Sequence, residues 1–143
     1  MREAFHHIRK KYIDALNGNV TINAASVPIY NRVPSDASTP FIRIYSHESN
    51  EIDQNNTSYT TELITKIECV TSFPADDGGE YQLNLVVDQV LDIIRTRTNE
   101  DLSAEGFNVY TTTMDRVRYL EDYEDYNTYF RAIIEISNRV QKT

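Results

Sequence analysis

Tryptophan is absent from this chain of 143 residues, and cysteine occurs once. A lone Cys69 excludes an internal disulfide and fits a reducing compartment. Basic residues are scarce. Fourteen Lys and Arg stand against 22 Asp and Glu, for a formal net charge of −8. That balance argues against a nucleic-acid binder that grips phosphates with clustered Lys and Arg, though not against a protein that DNA merely passes. No apolar run is long enough to span a bilayer. The first residues, Met1-Arg2-Glu3-Ala4-Phe5-His6-His7, lack the apolar core of a secretory signal. The expectation is a protein made in a cytoplasm. The Asn-x-Ser/Thr triplets beginning at Asn19, Asn55 and Asn56 are then chance matches.

What is present is an ordinary amount of core. Apolar residues make up 40% of the chain, too many for a disordered polymer. The length favours one domain over residues 1–143, with one core. Ten Tyr and five Phe carry the aromatic content. So many half-polar rings belong on sheet faces and at protein interfaces, where the ring is covered and the hydroxyl stays paired or wet.

Residues 2–17 read as an amphipathic helix, with Phe5, Ile8, Tyr12 and Leu16 at three- and four-residue steps. Asn17-Gly18 ends it, and Gly18 suits the left-handed cap position. Residues 20–22 and 27–30 suggest a small hairpin. Residues 33–40 hold two prolines among short polar residues and read as a loop. Phe41 to Ser46 reads as a strand, and the polar, Asn-rich residues 47–58 as a surface loop.

Residues 59–73 form the clearest strand. Leu63, Ile67, Cys69 and Phe73 fall on one face, and Glu62, Lys66 and Glu68 on the other. Pro74 ends it, and Asp76 or Asp77 is placed to cap a helix over 79–98, with Glu80 in its first turn. Residues 107–118 and 127–140 read as further strands. In the last, Phe130, Ala132, Ile134 and Ile136 face inward, and Arg131, Glu135 and Arg139 outward. Residues 119–126 read as a loop or strand tip. The fold expected is α+β: a mostly antiparallel sheet of four to five strands with two helices on one face.

Four groups of residues bear on chemistry. His6 and His7 are adjacent on a helix and point apart, which makes a poor metal chelate, and His47 is distant in sequence. Cys69 lies on an apolar strand face, as a small buried side chain rather than a nucleophile. Asp76-Asp77-Gly78-Gly79-Glu80 lacks both the calcium-loop spacing and the Lys-Ser/Thr of a phosphate loop, and reads as helix capping. Glu121, Asp122, Glu124 and Asp125 are the densest carboxylates, interleaved with Tyr119, Tyr123 and Tyr126. Three readings stand for them: an interface patch, a solvated loop, or a divalent-metal or acid–base site. Like charges so close repel, which favours a hydrated loop; the interleaved Tyr residues suit an interface patch better than a catalytic pair, and interface comes first. Arg95, Arg97, Arg116, Arg118 and Arg139 are candidate partners for that patch on a neighbouring copy. No catalytic, cofactor-binding or metal-binding residue is assigned.

The layout resembles the ring-forming tail terminator and tail completion proteins of tailed bacteriophages. The matching text begins with Ile13 to Gly18 and the turn Val27-Pro28-Ile29-Tyr30-Asn31-Arg32-Val33-Pro34. It continues with Thr39-Pro40-Phe41-Ile42-Arg43-Ile44, the strand at 62–73, the helix at 81–95, and strands at 107–118 and 128–137. The polar stretch 47–58 and the acidic stretch 119–126 depart from the family layout. The resemblance implies a non-enzymatic virion subunit of the neck or tail, without cofactor. It implies a homo-oligomeric ring whose neighbours are portal, adaptor or tail-tube proteins, with DNA passing through the lumen. An acidic lumen lets DNA slide, because it offers no counterion release. Two alternatives from other classes are a small carboxylate-dependent metal enzyme built on 119–126, and an adaptor that recruits a protein by strand addition.

Overall fold

The structure, a computed structural model, describes residues 3–54, 59–74, 78–96 and 102–142. Helix α1 runs over Phe5–Leu16 and buries Phe5, Ile8, Tyr12, Ala15 and Leu16, the stripe set by the apolar spacing. It stops where Gly18 takes φ +78. Strands β1 (Thr21–Ile22) and β2 (Ala25–Ser26) then form a minimal hairpin. Its turn residues, Asn23 and Ala24, both have positive φ, as a two-residue type I′ turn requires. The hairpin is therefore shorter than expected. Ile29–Tyr30 does not return along it but forms β3, which pairs in parallel with the next strand.

That strand, β4, spans Phe41–Gln54 and pairs antiparallel with β5, Tyr59–Pro74. The expected loop at 47–58 is thus strand as far as residue 54, and residues 55–58 lie outside the described residues. Residues 47–52 are exposed, so polarity marked a wet strand rather than a loop. Two register shifts, between Ser46 and Glu48 and between Glu51 and Asp53, blur the alternation that would have revealed it.

Helix α2, Tyr81–Arg95, buries Leu83, Val86, Val87, Val90 and Ile94. The position before its first turn is Glu80, which makes no side-chain cap hydrogen bond, so Glu80 precedes the first turn instead of sitting in it. Asp76 and Asp77 lie outside the described residues. A 3₁₀ turn at Ser103–Glu105 leads to β6, Phe107–Glu124, and β7, Asn127–Lys142.

The large sheet has the order β3-β4-β5-β7-β6. Both β5 and β6 run antiparallel to β7. They are therefore parallel to each other, joined through α2, with β7 inserted between them. The β5–β7 pairing is non-local, so α2 must cross the sheet before the last hairpin closes it. Both helices cover the same face. Tyr12 of α1 reaches Asn138 of β7, and α2 shares one apolar cluster with Ile42, Ile44, Leu63, Ile67, Ala132, Ile134 and Ile136. Burying each larger aliphatic side chain stabilises the fold by about 1.5–3 kcal/mol. The architecture is α+β, with two helices on one face of a five-stranded sheet and a separate two-stranded hairpin. Among the described residues, no helix is long and apolar enough to cross a membrane.

Candidate functional surface

Of the two forms expected for the acidic Tyr-rich stretch, loop or strand tip, it takes the second, and among the described residues its carboxylates do not converge into a metal-holding cluster. Residues 119–124 continue β6, and only Asp125 and Tyr126 turn, with φ +51 and +64. Asn127 follows and closes the hairpin opposite Glu124. The reason is local. Asp-Tyr can adopt the left-handed turn because Asp tolerates positive φ, and Tyr123 and Tyr129 suit strands.

The sheet pairing then divides the predicted residues between faces. From Arg116 onward, β6 pairs with β7 without a shift. Arg116, Arg118, Leu120, Asp122 and Glu124 lie on the face away from the helices. Tyr119, Glu121 and Tyr123 lie on the helix side, beyond the cover of either helix. Tyr119, Leu120, Tyr123 and Tyr126 are 47%, 44%, 64% and 82% exposed, so both faces of the strand tip and its turn present large apolar groups to solvent.

The helix-free face carries a ladder of ion pairs. Arg131 on β7 donates from Nη1 to Glu68 Oε1 at 2.8 Å and from Nε to Asp122 Oδ2 at 3.1 Å. It bridges β5 and β6 across its own strand. Arg116 approaches Glu135, and Arg139 approaches Glu62, each at 3.7 Å. Arg43 stacks over the Tyr45 ring at 4.4 Å. Asp115, bulged out of register, accepts from the Ser137 hydroxyl. Beside it, Glu62, Thr111, Thr113 and Arg139 line a shallow depression of about 480 Å³.

So the expected neighbours of the acidic stretch are partly spoken for. Asp122, Arg116 and Arg139 have partners within their own chain. Arg118, Glu121, Glu124 and Asp125 have no side-chain ion pair among the described residues. Arg95 ends α2, and Arg97 lies outside the described residues. The bridging role of Arg131 has no signal in the sequence beyond its outward position.

His6 and His7 do not point apart as expected: their rings lie against each other with centroids 3.8 Å apart, and His7 also meets Phe107. His47 sits in the bulge of β4. Cys69 is fully buried, and that burial pushes its thiol up to about 12, far from a thiolate. Tyr45 is raised as well, first by burial and then by the Glu68 charge. Among the described residues, no three His, Cys, Asp or Glu side chains converge to hold a metal ion. What the surface can do chemically is bind a complementary surface: it offers open strand edges, paired charges and exposed rings. Comparison with protein-family models and with curated proteins returns no match.

Proposed function

We propose that this chain is a structural virion protein of a tailed bacteriophage, one subunit of a ring in the neck or tail through which DNA passes. The observation that carries the reading is the element order. A first helix, a Gly break, a short strand before a Val-Pro turn, a long strand pair, a crossover helix and a closing hairpin come in the order that the resemblance to tail terminator proteins implies, with the small β1–β2 hairpin added. The net charge of −8 supports a conduit that DNA passes without adhering. The surface supports assembly rather than turnover, with aromatic rings exposed at 119–126 and sheet edges left open. The subunit's partners would be further copies of itself and the virion proteins above and below the ring.

Ring closure needs a contact in which one surface meets a different surface of the next copy. Negative-stain electron microscopy of the concentrated full chain, alone and co-expressed with the products of its neighbouring genes, tests the reading. Annular particles with an open centre are expected. Isolated subunits in both preparations, or neighbouring genes of metabolic type, would overturn it.

A further inference from the structure

Strand β6 is a sheet edge along its whole length, and its two halves differ. The first half carries both register shifts, between Val109 and Thr111 and between Met114 and Arg116, which bend an edge away from intruders. The second half, residues 116–124, is in continuous register, contains no Pro or Lys, and is almost wholly exposed on both faces. The turn at Asp125 and Tyr126 makes Glu124 and Asn127 the closing pair. Alternation then directs the N–H and C=O groups of Val117, Tyr119, Glu121 and Tyr123 away from β7. A long, unpaired edge in continuous register is a template for another strand.

The side chains specify which strand. Read about Leu120, the segment Arg116-Val117-Arg118-Tyr119-Leu120-Glu121-Asp122-Tyr123-Glu124 has opposite charges at mirror positions on one face. Antiparallel pairing with an identical segment places Arg116 opposite Glu124, Arg118 opposite Asp122, and Leu120 opposite itself. All of these lie on the helix-free face. On the other face, Val117 meets Tyr123, and Tyr119 meets Glu121. Moving the centre by one residue keeps only one kind of opposite-charge pair, and moving it by two sets Arg118 or Asp122 against its own copy. Like charges directly opposite destabilise a pair, so one register is selected. The available groups fit as well. Among the described residues Arg118 and Glu124 have no ion-pair partner, and Asp122 uses Oδ2 for Arg131, leaving Oδ1 for a second donor.

We infer that the outer half of β6 binds the same segment of a second copy of this chain, forming a two-fold symmetric dimer with Leu120 on the axis. About eight backbone hydrogen bonds join the two edges, and the two five-stranded sheets become one. The contact closes on itself at two copies, so it differs from the head-to-tail contact of a ring and does not depend on the ring reading. It removes an aggregation-prone edge by giving it a defined occupant.

Two experiments on the full chain test this. In sedimentation velocity at low ionic strength, wild type dimerises reversibly, and the dimer weakens as salt screens the pairs. Arg116→Glu and Glu124→Arg each weaken self-association by about tenfold or more, because each homodimer then holds like charges at two places. Mixing the two variants restores the dimer, since the acidic positions of one variant then lie opposite the basic positions of the other at both ends of the segment. In the second experiment, Leu120→Cys is oxidised gently. Directly opposite residues are within disulfide reach, so it gives a covalent dimer. Tyr110→Cys, exposed in the bulged half, does not, and buried Cys69 stays silent. Circular dichroism reports the folding of each variant. Dimerisation of the single variants as tight as wild type, or cross-linking at position 120 no faster than at 110, overturns the inference. Rings seen by microscopy without the 120–120 cross-link would overturn this contact and leave the ring reading standing. Cross-linked dimers that never form rings would do the reverse.

Discussion

Thr65 sits in the middle of β5 on the helix side, fully buried, and its hydroxyl has no hydrogen-bond partner. Its neighbours on that face are Leu63 and Ile67, and the opposite residue on β7 is Ile136. Thr65→Val exchanges the hydroxyl for a methyl of nearly the same size and keeps the β-branch, so the strand preference is unchanged. An unsatisfied buried hydroxyl costs about 1–3 kcal/mol. The substitution is therefore expected to stabilise the protein by about 1–2 kcal/mol, against the usual direction of core mutations. Urea unfolding followed by circular dichroism measures it. The midpoint should rise by about 0.5–1 M with an unchanged slope, and the melting temperature by roughly 2–8 °C. Tyr12→Phe is the opposite case. The Tyr12 hydroxyl pairs with the buried Asn138 side chain, which also reaches Thr112, so its loss should cost about 1–2 kcal/mol. A lower midpoint for Thr65→Val, or the same sign for both variants, would refute this accounting of the buried polar groups.

Gly78 has φ +70, and a Cβ there would overlap the Phe73 ring, which packs edge-on against Phe130. Gly78→Ala should lower stability by about 2–4 kcal/mol, whereas Gly79→Ala, with open space around its Cβ, should leave it nearly unchanged in the same melt. Burial raises the folded-state pKa of Cys69 from 9.0 to about 12, so the fold favours the protonated thiol. That contribution is complete below pH 9.0 and is lost as pH climbs toward about 12. Wild type should therefore lose more stability over that window than Cys69→Val, and equal losses in denaturant titrations would contradict it. Folded protein should also resist thiol alkylation that unfolded protein undergoes. Arg131→Gln breaks the bridge between Glu68 and Asp122 and should cost about 1 kcal/mol, smaller at high salt, with hydrogen exchange faster in the outer half of β6.

Much of this fold was legible because hydrophobic period and burial coincide. The spacing of Phe5, Ile8, Tyr12 and Leu16 marked α1, and the alternation in 59–73 and 127–140 marked the two central strands, since each has one dry face. Legibility failed where burial is weak. Residues 47–52 and 119–124 are exposed on both faces, so no alternation distinguishes them from loops, and backbone pairing, with the Arg131–Asp122 bridge in the second, holds them as strand. The position of β7 between β5 and β6 is a long-range choice that no local pattern records. The Tyr and carboxylate residues of 119–126 suggested a contact surface from composition. Their division between two faces, and the engagement of Asp122 by Arg131, came only from the register.

The mass of the assembled protein tests the central proposal most directly. Native mass spectrometry of the full chain, co-expressed with its genomic neighbours and brought to high concentration, should give a closed assembly of one discrete copy number well above two. A distribution that ends at monomer and dimer under both conditions would contradict a ring-forming subunit.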